Sequence, residues 1–141
     1  QHGFVRGLAE EGIDFDPASQ VVYGTLTKQG GYEATDAVLA TKPTAVFAAN
    51  DEMAIGALQA LGSNPKHILI AGVDGTPDAL QMLKNGKMIA TIFQDAKGQG
   101  EGAVDAAVKL ANGEKVEKVI DVPYQLITKE NMSEFVSRNQ K

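Results

Sequence analysis

Three strand-like runs of this chain each end on a side chain that can form hydrogen bonds. The residues that follow the three runs are Asn50, Asp74 and Gln94. In a parallel α/β sheet the carboxyl ends of the strands share one edge, and open sheets bind their ligands at that edge. Amide and carboxylate groups pair well with hydroxyl groups, and no nucleophile or base stands among the three. The pattern therefore predicts a binding protein for a hydroxylated ligand, with no catalytic residue, rather than an enzyme.

Two of these three positions also have an ordinary structural explanation. Asn50 and Asp51 lie where a buried strand turns into a helix, and both residue types are common helix N-caps. In the functional interpretation Asn50 points into a cleft while Asp51 caps the helix. Asp74-Gly75 is a turn signal, or alternatively a carboxylate that accepts hydrogen bonds from two neighbouring hydroxyls. No turn chemistry demands Gln94 at its position.

A fourth candidate, Leu26, ends the first strand predicted, at 20–26. It would lie on the same edge, where it could form an apolar wall against the ring face of a sugar. Simple termination of the strand is the preferred explanation of Leu26.

The elements that position these residues follow from apolar runs that alternate with amphipathic segments. A Gly30-Gly31 break, Lys42-Pro43 and a Thr76-Pro77 helix start mark boundaries. This order predicts an α/β fold with a doubly wound, mostly parallel sheet and helices on both faces. Because such a sheet normally starts with a strand, we expect the first strand to be missing. The predicted helices are 2–11, 31–41, 51–61, 76–85 and 97–112 with a short terminal helix after 128, and the predicted strands are 20–26, 44–49, 67–73, 88–94 and an extended run at 117–127.

The composition excludes several classes of function. The chain has 141 residues, a net charge of -5 and a pI of about 5.0, which argues against nucleic acid as a partner. It has no cysteine and no apolar run of transmembrane length. No dinucleotide or phosphate-loop motif occurs, and His2 and His67 lie far apart with no local metal pattern. We therefore expect no cofactor and no metal.

Four segments resemble type I periplasmic sugar-binding proteins, above all the ribose-binding proteins. The segments are 46–58, 70–78, 86–94 and 126–131. The first two are shared with sugar-responsive repressors of the lactose-repressor type, which have the same fold. The third segment, which ends at Gln94, and the last, which contains Thr128-Lys129-Glu130-Asn131, favour the transport proteins.

The resemblance implies two flavodoxin-like lobes that close on a sugar, with this chain as the C-terminal lobe lacking its first strand. Residues 1–95 would form that partial sugar-binding lobe, and residues 96–113 a helix that packs on the absent N-terminal lobe. Residues 114–141 would form a returning strand and the C-terminal tail. If the chain is only this piece, the apolar face of the helix at 97–112 is expected to drive self-association.

The resemblance also implies that Asn50, Asp74 and Gln94 contact ligand hydroxyls. Val73 and Leu26 stand where related proteins have aromatic residues, and we include both among the ligand-binding positions.

The function implied is the solute-binding component of an ABC-type sugar importer. Its partners would be a monosaccharide such as ribose, allose or galactose and the transporter permease. Its location would be the periplasm, or the cell surface through a lipid anchor in a Gram-positive cell. The alternative is the effector-binding domain of a lactose-repressor-type regulator.

Overall fold

The computed structural model describes residues 2–62 and 68–136. Most of the loop predicted at 62–65, together with His67, lies outside these ranges. The helices are α1 (His2–Glu10), α2 (Pro17–Gln20), α3 (Lys28–Val38), α4 (Asp51–Leu61), α5 (Pro77–Lys84), α6 (Ala96–Ala111) and α7 (Ser133–Val136), with a 3-10 turn at Leu39–Thr41. The strands are β1 (Ala45–Phe47), β2 (Leu69–Asp74), β3 (Ala90–Phe93) and β4 (Gln125–Thr128).

The four strands form one sheet in the order β1-β2-β3-β4. The first three strands are parallel, and β4 pairs antiparallel with β3. This confirms the prediction of an α/β fold with a mostly parallel sheet. In this register Phe47 lies opposite Ala71 and Asp74 lies opposite Phe93, so the carboxyl ends of β1, β2 and β3 share one edge.

The hydrophobic core lies between one face of the sheet and helices α4 and α5. Ile70 of β2, Leu83 of α5 and Ile127 of β4 are completely buried. Burial of each such side chain contributes about 1.5–3 kcal/mol. Helix α4 is firmly anchored, because its residues 53–57 are buried. The helix packs against the sheet and against helix α3. The start of α4 is therefore held firmly beside the edge of the sheet.

The strand predicted at 20–26 is wrong. Residues 21–25 have no regular structure, and the short helix α2 precedes them, capped by the Asp16 carboxylate. The physical reason is that this segment leads into Thr27, the N-cap of the next helix, and does not continue as a strand. The hydroxyls of Thr25 and Thr27 lie 3.0 Å apart, and Thr27 Oγ1 accepts the Gly30 N–H at 3.0 Å.

Helix α3 therefore begins at Lys28 and not after the Gly30-Gly31 pair. These glycines allow close packing instead of breaking the helix: a Cβ at Gly31 would overlap the Met53 backbone, and a Cβ at Gly56 would overlap the Lys28 carbonyl. Glycines at a helix crossing let the two backbones approach more closely than any side chain would permit.

Helix α6 has no buried residue, unlike α4 and α5. Val104 and Val108 are 63% and 55% exposed. The extended run predicted at 117–127 is a strand only from Gln125 onward. Within residues 2–62 and 68–136, no helix has both the length and the apolar character that a membrane crossing needs.

Candidate ligand-binding site at the sheet edge

Asn50 lies three residues after the end of β1 and is the N-cap of α4. Its backbone is extended, and its Oδ1 accepts the Met53 N–H at 2.9 Å. Its Nδ2 donates to the Leu26 carbonyl at 3.3 Å. Asn50 thus caps the helix, as the ordinary structural explanation expects, and takes the role that the functional interpretation gave to Asp51. The reason is geometric: the cap must have extended backbone angles, whereas Asp51 is already the first residue of the helix.

Asp51 points into the protein and is completely buried. Its Oδ1 accepts the Thr91 hydroxyl at 2.6 Å, and its Oδ2 accepts the Thr76 N–H at 2.8 Å. The Thr91 hydroxyl oxygen in turn accepts the Gly75 N–H at 3.2 Å. Sequence reasoning missed this network. The available signal was Thr91, a polar residue inside an otherwise apolar run.

Asp74 and Gln94 are brought together by the pairing of β2 with β3. Gln94 Nε2 donates to Asp74 Oδ1 at 3.1 Å. The hydroxyl of Tyr124, a residue that sequence reasoning did not single out, donates to Gln94 Oε1 at 2.9 Å. The Gln94 amide is therefore oriented from both sides, with its N–H toward the carboxylate and its oxygen toward the phenol.

The backbone at Asp74 is also unusual. Its φ is 121°, and the φ of Gly75 is 74°. A non-glycine residue with positive φ is strained, and such strain persists only where the surrounding structure holds it. Both sequence interpretations of Asp74-Gly75 are thus compatible with the geometry, since a sharp turn and a side-chain contact occur together.

The electrostatics of the two carboxylates differ from those of surface aspartates. Burial raises the pKa of Asp51, against the opposing hydrogen bonds from Thr91 and Thr76, and the nearby charge of Asp74 raises it further. Burial also raises the pKa of Asp74, against the hydrogen bonds from Gln94 and the Asp51 backbone N–H. Hydrogen bonds to the charged form compensate for lost hydration only in part.

The two apolar candidates are Leu26 and Val73, whose side chains can form no hydrogen bond with Asn50, Asp74 or Gln94. Leu26 has a 65% exposed side chain, and its contact with the other candidates is made by its backbone carbonyl. Val73 precedes Asp74 in β2, so its side chain lies on the opposite face of the sheet. The structure thus joins Asp74 with Gln94 and Asn50 with Leu26, while Val73 belongs to neither pair.

This edge can bind hydroxyl groups. The bond to Asp74 uses one of the two N–H donors of Gln94, and the Asp74 carboxylate has acceptor positions beyond the one that Gln94 occupies. The described residues contain no group of three or more His, Cys, Asp or Glu side chains that could hold a metal ion. Grooves of about 510 and 390 Å³ lie along α6, and the second is lined in part by Tyr124, whose hydroxyl contacts Gln94.

The sequence of this chain matches a known protein family and several known proteins. Residues 1–115 match a sequence profile described as the periplasmic binding protein domain. A Rhizobium meliloti protein named for rhizopine binding is 50% identical over 98 residues, which cover 67% of this chain and 32% of that protein. The ribose import binding protein of Haemophilus influenzae is 41% identical over 123 residues, 86% of this chain and 38% of that protein.

Among solved structures, a solute-binding protein of an ABC transporter from Bacillus halodurans, with bound myo-inositol, superposes with a TM-score of 0.74. The two sequences are 42% identical, and the match covers 82% of this chain and 41% of the Bacillus halodurans chain. A transcriptional repressor of the helix-turn-helix type from Pasteurella multocida is 31% identical over 92% of this chain. The chain spans about a third to two fifths of the length of the relatives it matches.

Proposed function

This chain belongs to the periplasmic binding protein domain family, and from that premise we propose that it is the sugar-binding lobe of an ABC-importer solute-binding protein. It holds a monosaccharide or a related polyol by hydrogen bonds and performs no catalysis. The ligand contacts are Asn50, Asp74 and Gln94, with Leu26 and Val73 contributing apolar surface. The location is the periplasm, or the cell surface by way of a lipid anchor, and the transporter permease is the partner.

The contact between Asp74 and Gln94 carries this proposal. Asp74 Oδ1 and Gln94 Nε2 lie 3.1 Å apart. The carboxylate offers acceptors and the amide offers a donor, close enough together to bind two adjacent hydroxyls of one sugar. Charge-assisted hydrogen bonds of this kind are roughly twice as strong as neutral ones. The names of the relatives, which mention ribose and inositol, support a ligand with several adjacent hydroxyls.

A second lobe completes the cleft in this proposal. The carboxyl ends of β1, β2 and β3 share one edge, and a bound sugar needs enclosure on both sides for water to be excluded. The exposed face of α6, which carries Val104 and Val108, would pack against that second lobe. Residues 1–95 would then supply the sugar contacts, 96–113 the packing helix, and 114–141 the return strand and tail.

The test compares two proteins by calorimetry against ribose, allose, galactose, glucose and myo-inositol. One is the isolated chain. The other is a chimaera in which this chain replaces the segment that it matches in the inositol-bound neighbour. We expect saturable binding by the chimaera, and weak or undetectable binding by the isolated chain. Micromolar binding by the isolated chain contradicts the two-lobed cleft, and a folded chimaera that binds none of the five contradicts sugar binding.

The alternative function is the effector-binding domain of a sugar-responsive repressor; the match to the Pasteurella multocida repressor supports the repressor part of this alternative. The identity there is 31%, lower than the 41% of the ribose import binding protein and the 50% of the protein named for rhizopine binding. The gene that encodes this chain separates the two proposals. A signal peptide upstream supports the transport protein, and a basic helix-turn-helix supports the repressor.

A further inference from the structure

We propose that Asp51 and Thr91 are positioning residues that set the direction of the Asp74 carboxylate by holding the backbone of Gly75 and Thr76. The inference rests on the proposed function, in which Asp74 contacts the ligand. Neither Asp51 nor Thr91 is exposed at the edge, so neither would touch a sugar itself.

The first observation is a closed set of hydrogen bonds. The Gly75 N–H donates to Thr91 Oγ1, the Thr91 hydroxyl donates to Asp51 Oδ1, and the Thr76 N–H donates to Asp51 Oδ2. Asp51 and Thr91 are each 0% exposed. Hydrogen bonds shielded from water in this way are the ones that hold geometry, because no solvent competes for them.

The second observation is the backbone that these bonds hold. Gly75 and Thr76 directly follow Asp74, whose φ of 121° is unfavourable for any side-chain-bearing residue. Such a conformation relaxes unless the neighbouring backbone is fixed. The network fixes the next two N–H groups, and this prevents rotation at Asp74 that would move its carboxylate away from Gln94.

The third observation is the space reserved for the Asp51 carboxylate. Gly72 lies two residues before Asp74 on β2, and a Cβ there would overlap Asp51 Oδ1. Only glycine at this position allows the carboxylate to reach Thr91 across the sheet. Gly72 therefore belongs to the same arrangement, although it forms none of its side-chain bonds.

The proposal is tested by NMR on the isolated chain, with variants that remove or keep the Thr91 hydroxyl. Thr91→Val is expected to accelerate hydrogen exchange at the Gly75 amide by about tenfold, the equivalent of one hydrogen bond. It is also expected to shift the titration midpoint of the Asp74 carboxyl. Thr91→Ser, which keeps the hydroxyl, is expected to restore both. Thr35→Val is the control at a buried threonine of α3.

The proposal is overturned if a folded Thr91→Val chain keeps the wild-type hydrogen-exchange rate at the Gly75 amide and the wild-type titration of the Asp74 carboxyl. If that variant does not fold, Gly72→Ala displaces Asp51 instead and is expected to give the same two changes. A Thr91→Ser chain that titrates differently from wild type also overturns it.

Sugar affinity of the chimaera gives the functional readout. We expect Thr91→Val to weaken it by about tenfold, Thr91→Ser to restore it and Thr35→Val to leave it unchanged. Unchanged affinity in Thr91→Val overturns the proposal. A chimaera that binds no sugar refutes the proposed function, while the NMR measurements still decide whether Asp51 and Thr91 position Asp74.

Discussion

The Gln94 side-chain amide donates a hydrogen bond to the Asp74 carboxylate, with Nε2 and Oδ1 3.1 Å apart. This contact joins the ends of two adjacent strands that are separated by α5 in the sequence. Tyr124, from the segment that leads into β4, holds the other side of the same amide. Three distant parts of the chain thus meet at one edge.

Removing the Asp74 charge should weaken ligand binding strongly. We expect Asp74→Asn in the chimaera to reduce sugar affinity by roughly 10- to 100-fold, because a hydrogen bond to a charged group contributes about 1.5–3 kcal/mol. Calorimetry measures the effect. Asp78→Asn, an exposed aspartate of α5, is the matched control and should bind as wild type. Equal affinities for both variants would remove Asp74 from the site.

The contribution of Asp74 to the free energy of unfolding should decrease as the pH rises. Its folded-state pKa is raised by burial, so the folded chain binds more protons than the unfolded chain just above the ordinary value of about 3.9. The stability that Asp74 contributes is therefore present at low pH and is lost as the pH rises through the folded-state pKa. The free energy of unfolding of wild type minus that of Asp74→Asn should decrease between about pH 3 and about pH 7 in urea titrations. A difference that is constant or increases with pH would contradict this.

The crossing of α3 and α4 should not tolerate a methyl group. A Cβ at Gly56 would overlap the Lys28 carbonyl, so we expect Gly56→Ala to destabilise the chain by about 1–3 kcal/mol. Gly100→Ala is the control, because nothing lies within 4 Å of the Cβ that it adds to α6. That variant should be neutral or stabilised by up to about 1 kcal/mol. Equal unfolding midpoints for the two variants would exclude a close helix crossing.

The exposed face of α6 should cause the isolated chain to self-associate. Val104 and Val108 are 63% and 55% exposed, and apolar faces that lack a partner tend to acquire one. Light scattering should detect oligomers of wild type, monomers of the Val104→Glu/Val108→Glu variant, and oligomers of the control Val22→Glu. Monomeric wild-type chain at high concentration would show that this face needs no partner.

The sequence was sufficient to predict the α/β fold and the position of Asp74 and Gln94 at the ends of neighbouring strands, because the periodicity of the strands and helices decides both. It was insufficient at 20–26, where an apolar run resembles a strand but leads into Thr27, the N-cap of α3. It also failed at Asp51, because N-cap preferences do not distinguish the cap from the first helical residue. Which of two adjacent polar residues is buried depends on a distant partner, here Thr91.

The most direct test of the account is a crystal structure of the chimaera with a bound sugar from the panel. We predict two sugar hydroxyls within about 3 Å of the Asp74 carboxylate and the Gln94 amide, with the contact between these two side chains retained. A sugar bound elsewhere, with no hydroxyl near Asp74 or Gln94, would contradict the proposal that this sheet edge is the ligand-binding surface.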